Sequence, residues 1–99
     1  MKNVAVIMGG YSSEYKISLT SGGVVCANLN SDKYNIYPVH ILKEKWACLI
    51  DEKEYPIDKN DFSITINNSK ITFDVVFNAI HGTPGEDGLM QAYFELLEI

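Results

Sequence analysis

Cysteine is scarce in this chain. Cys26 and Cys48 stand apart, neither belongs to a C-x-x-C pair, and neither has a histidine set beside it. A disulfide-stapled scaffold needs more thiols, and a zinc module needs ligands at closer spacing. The other soft ligands, His40 and His81, are too dispersed to complete a zinc site. Two buried, reduced thiols are expected, with a single Cys26–Cys48 disulfide left open. Long apolar runs are also missing. No stretch approaches the ~20 apolar residues of a membrane span. The opening Met1–Met8 run is short and leads into Gly9-Gly10, not into a small-residue cleavage site, so it does not read as a signal peptide. A cytoplasmic protein is expected. Positive charge is in deficit: Lys and Arg total 8 against 13 Asp and Glu, a net charge of −5. No basic run exists, which excludes a sequence-independent nucleic-acid surface. Repeats and low-complexity tracts are absent, and no linker divides the chain.

What is present suits one globular domain spanning residues 1–99. The apolar share is 46% and the charged share 21%, ordinary for a soluble domain with a real core. Val4–Met8 is a continuous apolar run, the pattern of a central strand buried on both faces. Gly9-Gly10 breaks it, and Ser12, Ser13 and Glu14 carry helix-start chemistry. A helix is expected from about Glu14 to Asn30, with Ile17, Val24, Val25 and Leu29 toward a core. Gly22-Gly23 inside it costs roughly 1 kcal/mol each relative to Ala, unless close packing offsets the loss. Tyr34–Leu42 reads as a second strand, and Pro38 in it favours a sheet edge.

Residues 43–73 read differently. Trp46–Ile50 and Glu54–Ile57 flank Asp51-Glu52-Lys53, and Ser63–Ile66 and Lys70–Phe73 flank Asn67-Asn68-Ser69. These are expected to be one or two antiparallel hairpins inserted in an α/β frame. Asp74–Ile80 is a third strand, ending in the glycine-rich stretch His81–Gly88. A helix follows over Glu86–Glu98, with Leu89, Met90, Tyr93, Phe94 and Leu97 on one face. The order strand–helix–strand, insert, strand–helix predicts a Rossmann-like α/β fold: a small parallel sheet flanked by helices, with an inserted antiparallel hairpin region.

In such a sheet, parallel strands end at one edge, and ligands bind beyond their carboxyl ends where strand order reverses. The loops Gly9–Glu14 and His81–Gly88 both follow strand ends and both open helices. With the first strand central, they face each other across that point. Helix N-termini favour carboxylate or phosphate. Glu14 suits an ammonium group, and His81 suits an oxygen or a proton transfer. A small zwitterion such as an amino acid fits the pair. Each residue also has a plainer reading. Gly9-Gly10 serves a tight turn; Glu14, Glu86 and Asp87 complement helix dipoles; Ser18 is a polar or back-bonding helix residue; His40 is structural within its strand. The residues by themselves lead as far as an α/β domain with an anion or zwitterion site.

The same loops carry a family resemblance. Gly9-Gly10-Tyr11-Ser12-Ser13-Glu14, followed by Ile17-Ser18-Leu19 and Ser21-Gly22, resembles the first signature of the D-alanine–D-alanine ligases, a Gly-Gly-x-Ser-x-Glu loop running into a Val/Ile-Ser-Leu helix start. His81-Gly82-Thr83-Pro84-Gly85-Glu86-Asp87-Gly88-Leu89-Met90-Gln91-Ala92 resembles the second, His-Gly-x-x-Gly-Glu-Asp-Gly-x-Ile/Leu/Met-Gln-Gly/Ala. Spacing, order and strand context agree, and the likeness covers nearly the whole chain.

The resemblance implies the N-terminal substrate-binding domain of an ATP-grasp ligase. In that family ATP phosphorylates the carboxylate of a first D-alanine, and the amine of a second attacks the acyl phosphate, giving the dipeptide used in peptidoglycan synthesis. The match assigns Glu14 to the substrate ammonium, as the catalytic and binding carboxylate. It places His81, with Gly82, near the substrate carboxylate, has Ile17 and Ser18 line the same subsite, and makes Glu86 a supporting carboxylate. ATP and Mg²⁺ (or Mn²⁺) belong, by the same resemblance, to ATP-grasp domains that follow. The stretch after Ile99 is expected to supply them, so residues 1–99 alone are expected to be inactive and to bind neither. A homodimeric parent is implied as well. Two alternatives stand beside this: a related D-alanine–D-lactate ligase, and a standalone small-ligand-binding module of the same fold.

Overall fold

A computed structural model of the chain describes residues 2–11, 15–29 and 31–80. Strand β1 (Lys2–Gly9) is apolar throughout Val4–Met8 because both of its faces are covered. It pairs in parallel with β2 (Tyr34–Ile41) on one side and with β7 (Val75–Asn78) on the other. The central position expected of the first strand is therefore observed. Helix α1 (Tyr15–Asn28) connects β1 to β2 and packs on the face made by Val4, Val6 and Met8.

The helix is turned differently from the expectation. Leu19, Val25, Cys26 and Leu29 pack on that face, while Ile17 is 60% and Val24 57% exposed. The cause is the small-residue pair Ser18 and Gly22, one turn apart, which lets the helix approach the sheet. Ile17 and Val24 each precede a sheet-facing residue, and one residue step is ~100° of rotation, which carries both to the flank. Gly22 supplies the close approach that its place in a helix requires: a Cβ there would lie 2.6 Å from Met8 Sδ and 2.7 Å from Met8 Cβ. Gly23 has open space where a Cβ would stand.

Strand β2 is not an edge. The five-stranded sheet has the order β4-β3-β2-β1-β7, with β3 (Trp46–Ile50) and β4 (Lys53–Pro56) antiparallel. Pro38 is tolerated because β3 pairs only with Val39–Ile41, so the proline stands one residue before that ladder begins. The first inserted hairpin thus extends the parallel strands β2-β1-β7 into a mixed sheet. The second, β5 (Ile64–Ile66) and β6 (Ser69–Ile71), forms a separate two-stranded sheet. Both hairpins close through two residues at positive φ, Asp51 (50°) with Glu52 (66°) and Asn67 (51°) with Asn68 (65°). This is the mirror-image turn whose twist matches paired strands. The returning strands therefore start directly after the turn, at Lys53 and Ser69, one residue earlier than the sequence pattern indicated.

The sheet face opposite α1 holds Ala5, Ile7, Val39, Ile41 and Cys48, covered by Ile57, Phe62, Ile64, Phe73 and Ile80. The second hairpin and its flanking segments thus fill this face. Phe62 packs against Phe73 with ring centroids 5.5 Å apart and against Trp46 at 6.5 Å. Both cysteines are free, which closes the disulfide alternative; Cys48 is buried and Cys26 half-buried. Burial pushes the Cys48 thiol up to about 12. The helix expected over residues 86–98 lies outside the described residues.

Candidate functional site

The site is built from strand ends. β1, β2 and β7 run parallel, so their carboxyl ends share one edge of the sheet. At that edge β1 stops in Gly9 and Gly10, with φ of 100° and 101°. Only glycine adopts such angles readily. A Cβ on Gly9 would also meet Leu42 Cδ2 at 2.9 Å and the Ile41 carbonyl oxygen at 3.0 Å. The turn is held where it forms: the Gly10 N–H donates to the Ile41 carbonyl at 2.6 Å. Tyr11 then leans toward the inserted hairpin, and its Oη accepts from Trp46 Nε1 at 2.9 Å. Lys59 Nζ stands 4.5 Å from the Trp46 ring centroid, in range of a cation–π contact.

On the neighbouring strand, β7 ends beside β1, with Asn78 in register with Ile7. The Ala79 N–H donates to the Ile7 carbonyl at 2.9 Å, and the Ile80 N–H to Asn78 Oδ1 at 3.0 Å. The stem of the His81–Gly88 loop is thereby bound to the strand that carries the Gly9–Glu14 loop. Glu14, His81, Gly82 and Glu86 themselves lie outside the described residues.

Two of the six expected site residues are described, both on the opening turns of α1. Ile17 is exposed on the helix flank. Ser18 is fully buried; its Oγ accepts from the Gly9 N–H at 2.9 Å and donates to the Ala79 carbonyl at 2.6 Å. His40 sits near the end of β2 beside Met8, half-buried; burial lowers its pKa, opposed by Glu54 and assisted by Lys45. Among the described residues, no group of three His, Cys, Asp or Glu side chains is placed to hold a metal ion, and no helix is long and apolar enough to cross a membrane.

Sequence reasoning missed the contact between Tyr11 and Trp46 and the double commitment of Ser18. Tyr11 lies inside the first motif and Trp46 is the only tryptophan, but no spacing rule pairs them.

This geometry has close counterparts. The chain is 68% identical over 98 residues to the D-alanine–D-alanine ligase of Flavobacterium johnsoniae, and 54% identical over 99 residues to that of Christiangramia forsetii. These alignments cover 98% and 99% of the chain but 30% of each relative, so the chain spans under a third of their length. Among solved structures, D-alanyl-alanine synthetase A from Vibrio cholerae matches with a TM-score of 0.84 at 30% identity, over 99% of this chain and 29% of that one. The VanG D-Ala:D-Ser ligase from Enterococcus faecalis matches with a TM-score of 0.83 at 31% identity, over 99% of this chain and 34% of that one. The family model described as the D-ala D-ala ligase N-terminus matches residues 3–99, and the chain belongs to that family.

Proposed function

We propose that this domain is the first-substrate lobe of an ATP-dependent D-alanine–D-alanine ligase. The observation that carries the reading is the pairing of β1 with β7, which sets the stems of both motif loops side by side at one sheet edge. Glu14 takes the ammonium of the first D-alanine. His81 and Gly82 meet its carboxylate, Ile17 stands at the helix end of the subsite with Ser18 buried behind it, and Glu86 supports the pocket.

Moving a phosphoryl group between anions needs concentrated positive charge. Lys16 is the only basic residue in the motif loops and adjacent helix starts. ATP and Mg²⁺ (or Mn²⁺) are therefore assigned to the rest of the parent chain, and residues 1–99 to substrate holding alone. The parent enzyme is placed in the cytoplasm, as a homodimer, supplying peptidoglycan synthesis.

The likeness to a D-Ala:D-Ser ligase bears on the second substrate. Two ligases named for different products share this domain, which supports assigning it to the substrate they have in common, the first D-alanine. D-lactate or D-serine as second substrate is the alternative reading, separable by assaying ester and amide products. The main test is Glu14→Gln in the full ligase chain. Loss of the ammonium partner should raise the D-alanine KM by about 10²-fold, the weight of a charge-assisted hydrogen bond with Coulombic support. An unchanged D-alanine dependence removes Glu14 from the site. Tight D-alanine binding by a gene product lacking any ATP-grasp region would favour the standalone module.

A further inference from the structure

We infer that Ser18 is a positioning residue that locks the two motif loops to each other, and that it acts on the reaction without touching the substrate. This deepens the reading above and rests on it. Ser18 Oγ joins three elements at one point. It accepts from the Gly9 N–H at the end of β1, it donates to the Ala79 carbonyl just past β7, and it belongs to the opening turns of α1. Gly9 begins the loop that leads to Glu14, and Ala79 lies two residues before His81.

A hydroxyl has one proton to donate. Here the Ala79 carbonyl takes it, at 2.6 Å. The side chain has no accessible surface, so a substrate carboxylate cannot receive that proton without displacing a strand end. The consequence of the bonds is geometric. The β1 stem, the β7 stem and the start of α1 share one buried anchor, which fixes the stems of the two motif loops relative to each other. Small misplacements of the groups those loops carry are costly because binding energy is realised only when both ends are met together.

The requirement is specific to a short hydroxyl. Alanine leaves the Gly9 N–H without this partner and the Ala79 carbonyl without this donor. Threonine keeps the donor and acceptor with one added methyl. Cysteine keeps the volume but has a weak donor.

The test uses Ser18→Ala, Ser18→Thr and Ser18→Cys in the full ligase chain. Steady-state kinetics of dipeptide formation are measured together with peptide-resolved hydrogen exchange of the substrate-free protein. Ser18→Ala and Ser18→Cys should raise the KM for the first D-alanine about tenfold with kcat changed less than about threefold, the signature of lost ground-state binding. Exchange should quicken in the peptides containing Gly9 and Ala79 without substrate present. Ser18→Thr should restore both readouts most of the way.

An unchanged KM in Ser18→Ala overturns the inference. A raised KM with unaltered exchange in the substrate-free protein also overturns it, because that is the behaviour of a direct substrate contact. If Ser18→Ala fails to fold, the Thr and Cys variants decide: equal KM values for the two overturn the proposal. Absence of dipeptide synthesis by the unmodified parent sinks the functional reading separately, while the exchange measurement still decides whether Ser18 joins the stems.

Discussion

Gly22 and Gly23 are neighbours in one helix, yet alanine should have opposite effects at the two. In a helix interior, glycine is less favourable than alanine by about 1 kcal/mol, through the backbone entropy it loses. At Gly23 nothing stands within 4 Å of the added Cβ. Gly23→Ala should therefore gain most of that amount. At Gly22 the Cβ would lie 2.6, 2.7 and 2.8 Å from Met8 Sδ, Cβ and Cε. The thioether end can swing away, but the Met8 Cβ is fixed to the central strand, so the helix itself must move. That movement disturbs the packing of Val25 and Leu29 on Val4 and Val6. Overpacking costs about 1–3 kcal/mol, and a contact against a central strand belongs in the upper half of that range. After the propensity gain, Gly22→Ala should lose about 1–2 kcal/mol. The two variants should thus differ by about 2–3 kcal/mol, or roughly 10–20 °C in Tm for a chain of this size.

Urea unfolding of the 99-residue chain measures this through the midpoint, provided the slope stays constant. Met8→Ala removes the Sδ and Cε contacts but keeps the Cβ contact, so in a double-mutant cycle Gly22→Ala should cost less in the Met8→Ala background than in the original chain, without becoming free. A Gly22→Ala variant as stable as the original chain would refute the close approach of α1 to β1, and with it the explanation of why Ile17 and Val24 face outward.

Two smaller predictions follow from the loops. Glu52 occupies the second position of a mirror-image turn at φ 66°, where a side chain is strained and glycine is not; Glu52→Gly should raise the unfolding free energy by about 0.5–1 kcal/mol, whereas Glu52→Val should lower it, and a loss in the glycine variant would contradict the turn type. Asp61 accepts from Lys70 Nζ at 2.5 Å and from Ser63 Oγ at 2.5 Å, and the Lys70 bond is the larger cause holding its carboxyl below the usual range. A depressed carboxylate stabilises above its unfolded pKa and loses that contribution as pH falls through the folded value. The stability of the original chain and of Asp61→Asn should therefore converge as the medium is acidified below the ordinary aspartate range; a gap that widens on acidification would refute the pairing. Lys70, raised by the same bond, gives the mirror limb, lost only as pH rises through its own elevated value.

Contiguous features were legible in the sequence. The Val4–Met8 run announces a strand covered on both faces, and it is the central one. Both motifs are unbroken in sequence and follow strands that the sequence located, β1 and β7. Features that depend on distant partners were not legible. Ser18 bonds to Ala79, 61 positions away, and no local pattern predicts that. In sequence Ile17 and Val24 look like core residues, whereas in the fold a serine and a glycine set how near the helix comes and which face it turns inward. Pro38 reads as an edge signal, but the half of β2 that β3 does not reach satisfies the same constraint inside the sheet. Period-two alternation located the hairpins without revealing that β3 joins the main sheet while β5 and β6 form their own. Hairpin boundaries moved by one residue because Asp51-Glu52 lacks the glycine that usually marks a mirror-image turn.

The bonds that hold the first motif loop differ in environment, and that difference assigns them different mechanical roles. Toward β7 the anchor is Ser18, fully buried, where leaving a polar partner unsatisfied costs about 1–3 kcal/mol. Toward β2 it is the Gly10 N–H on the Ile41 carbonyl, and beyond that the Tyr11–Trp46 hydrogen bond at the surface. An exposed bond of the latter kind is worth about 0.5–1.5 kcal/mol, since water replaces either partner readily. Trp46 is itself seated by edge contact with the buried ring of Phe62, so the tryptophan is the fixed member and Tyr11 the exchangeable one. The inserted hairpin therefore does more than cover the sheet. It presents to Tyr11 an indole seated on Phe62, while Ser18 holds Gly9 at the base of the loop.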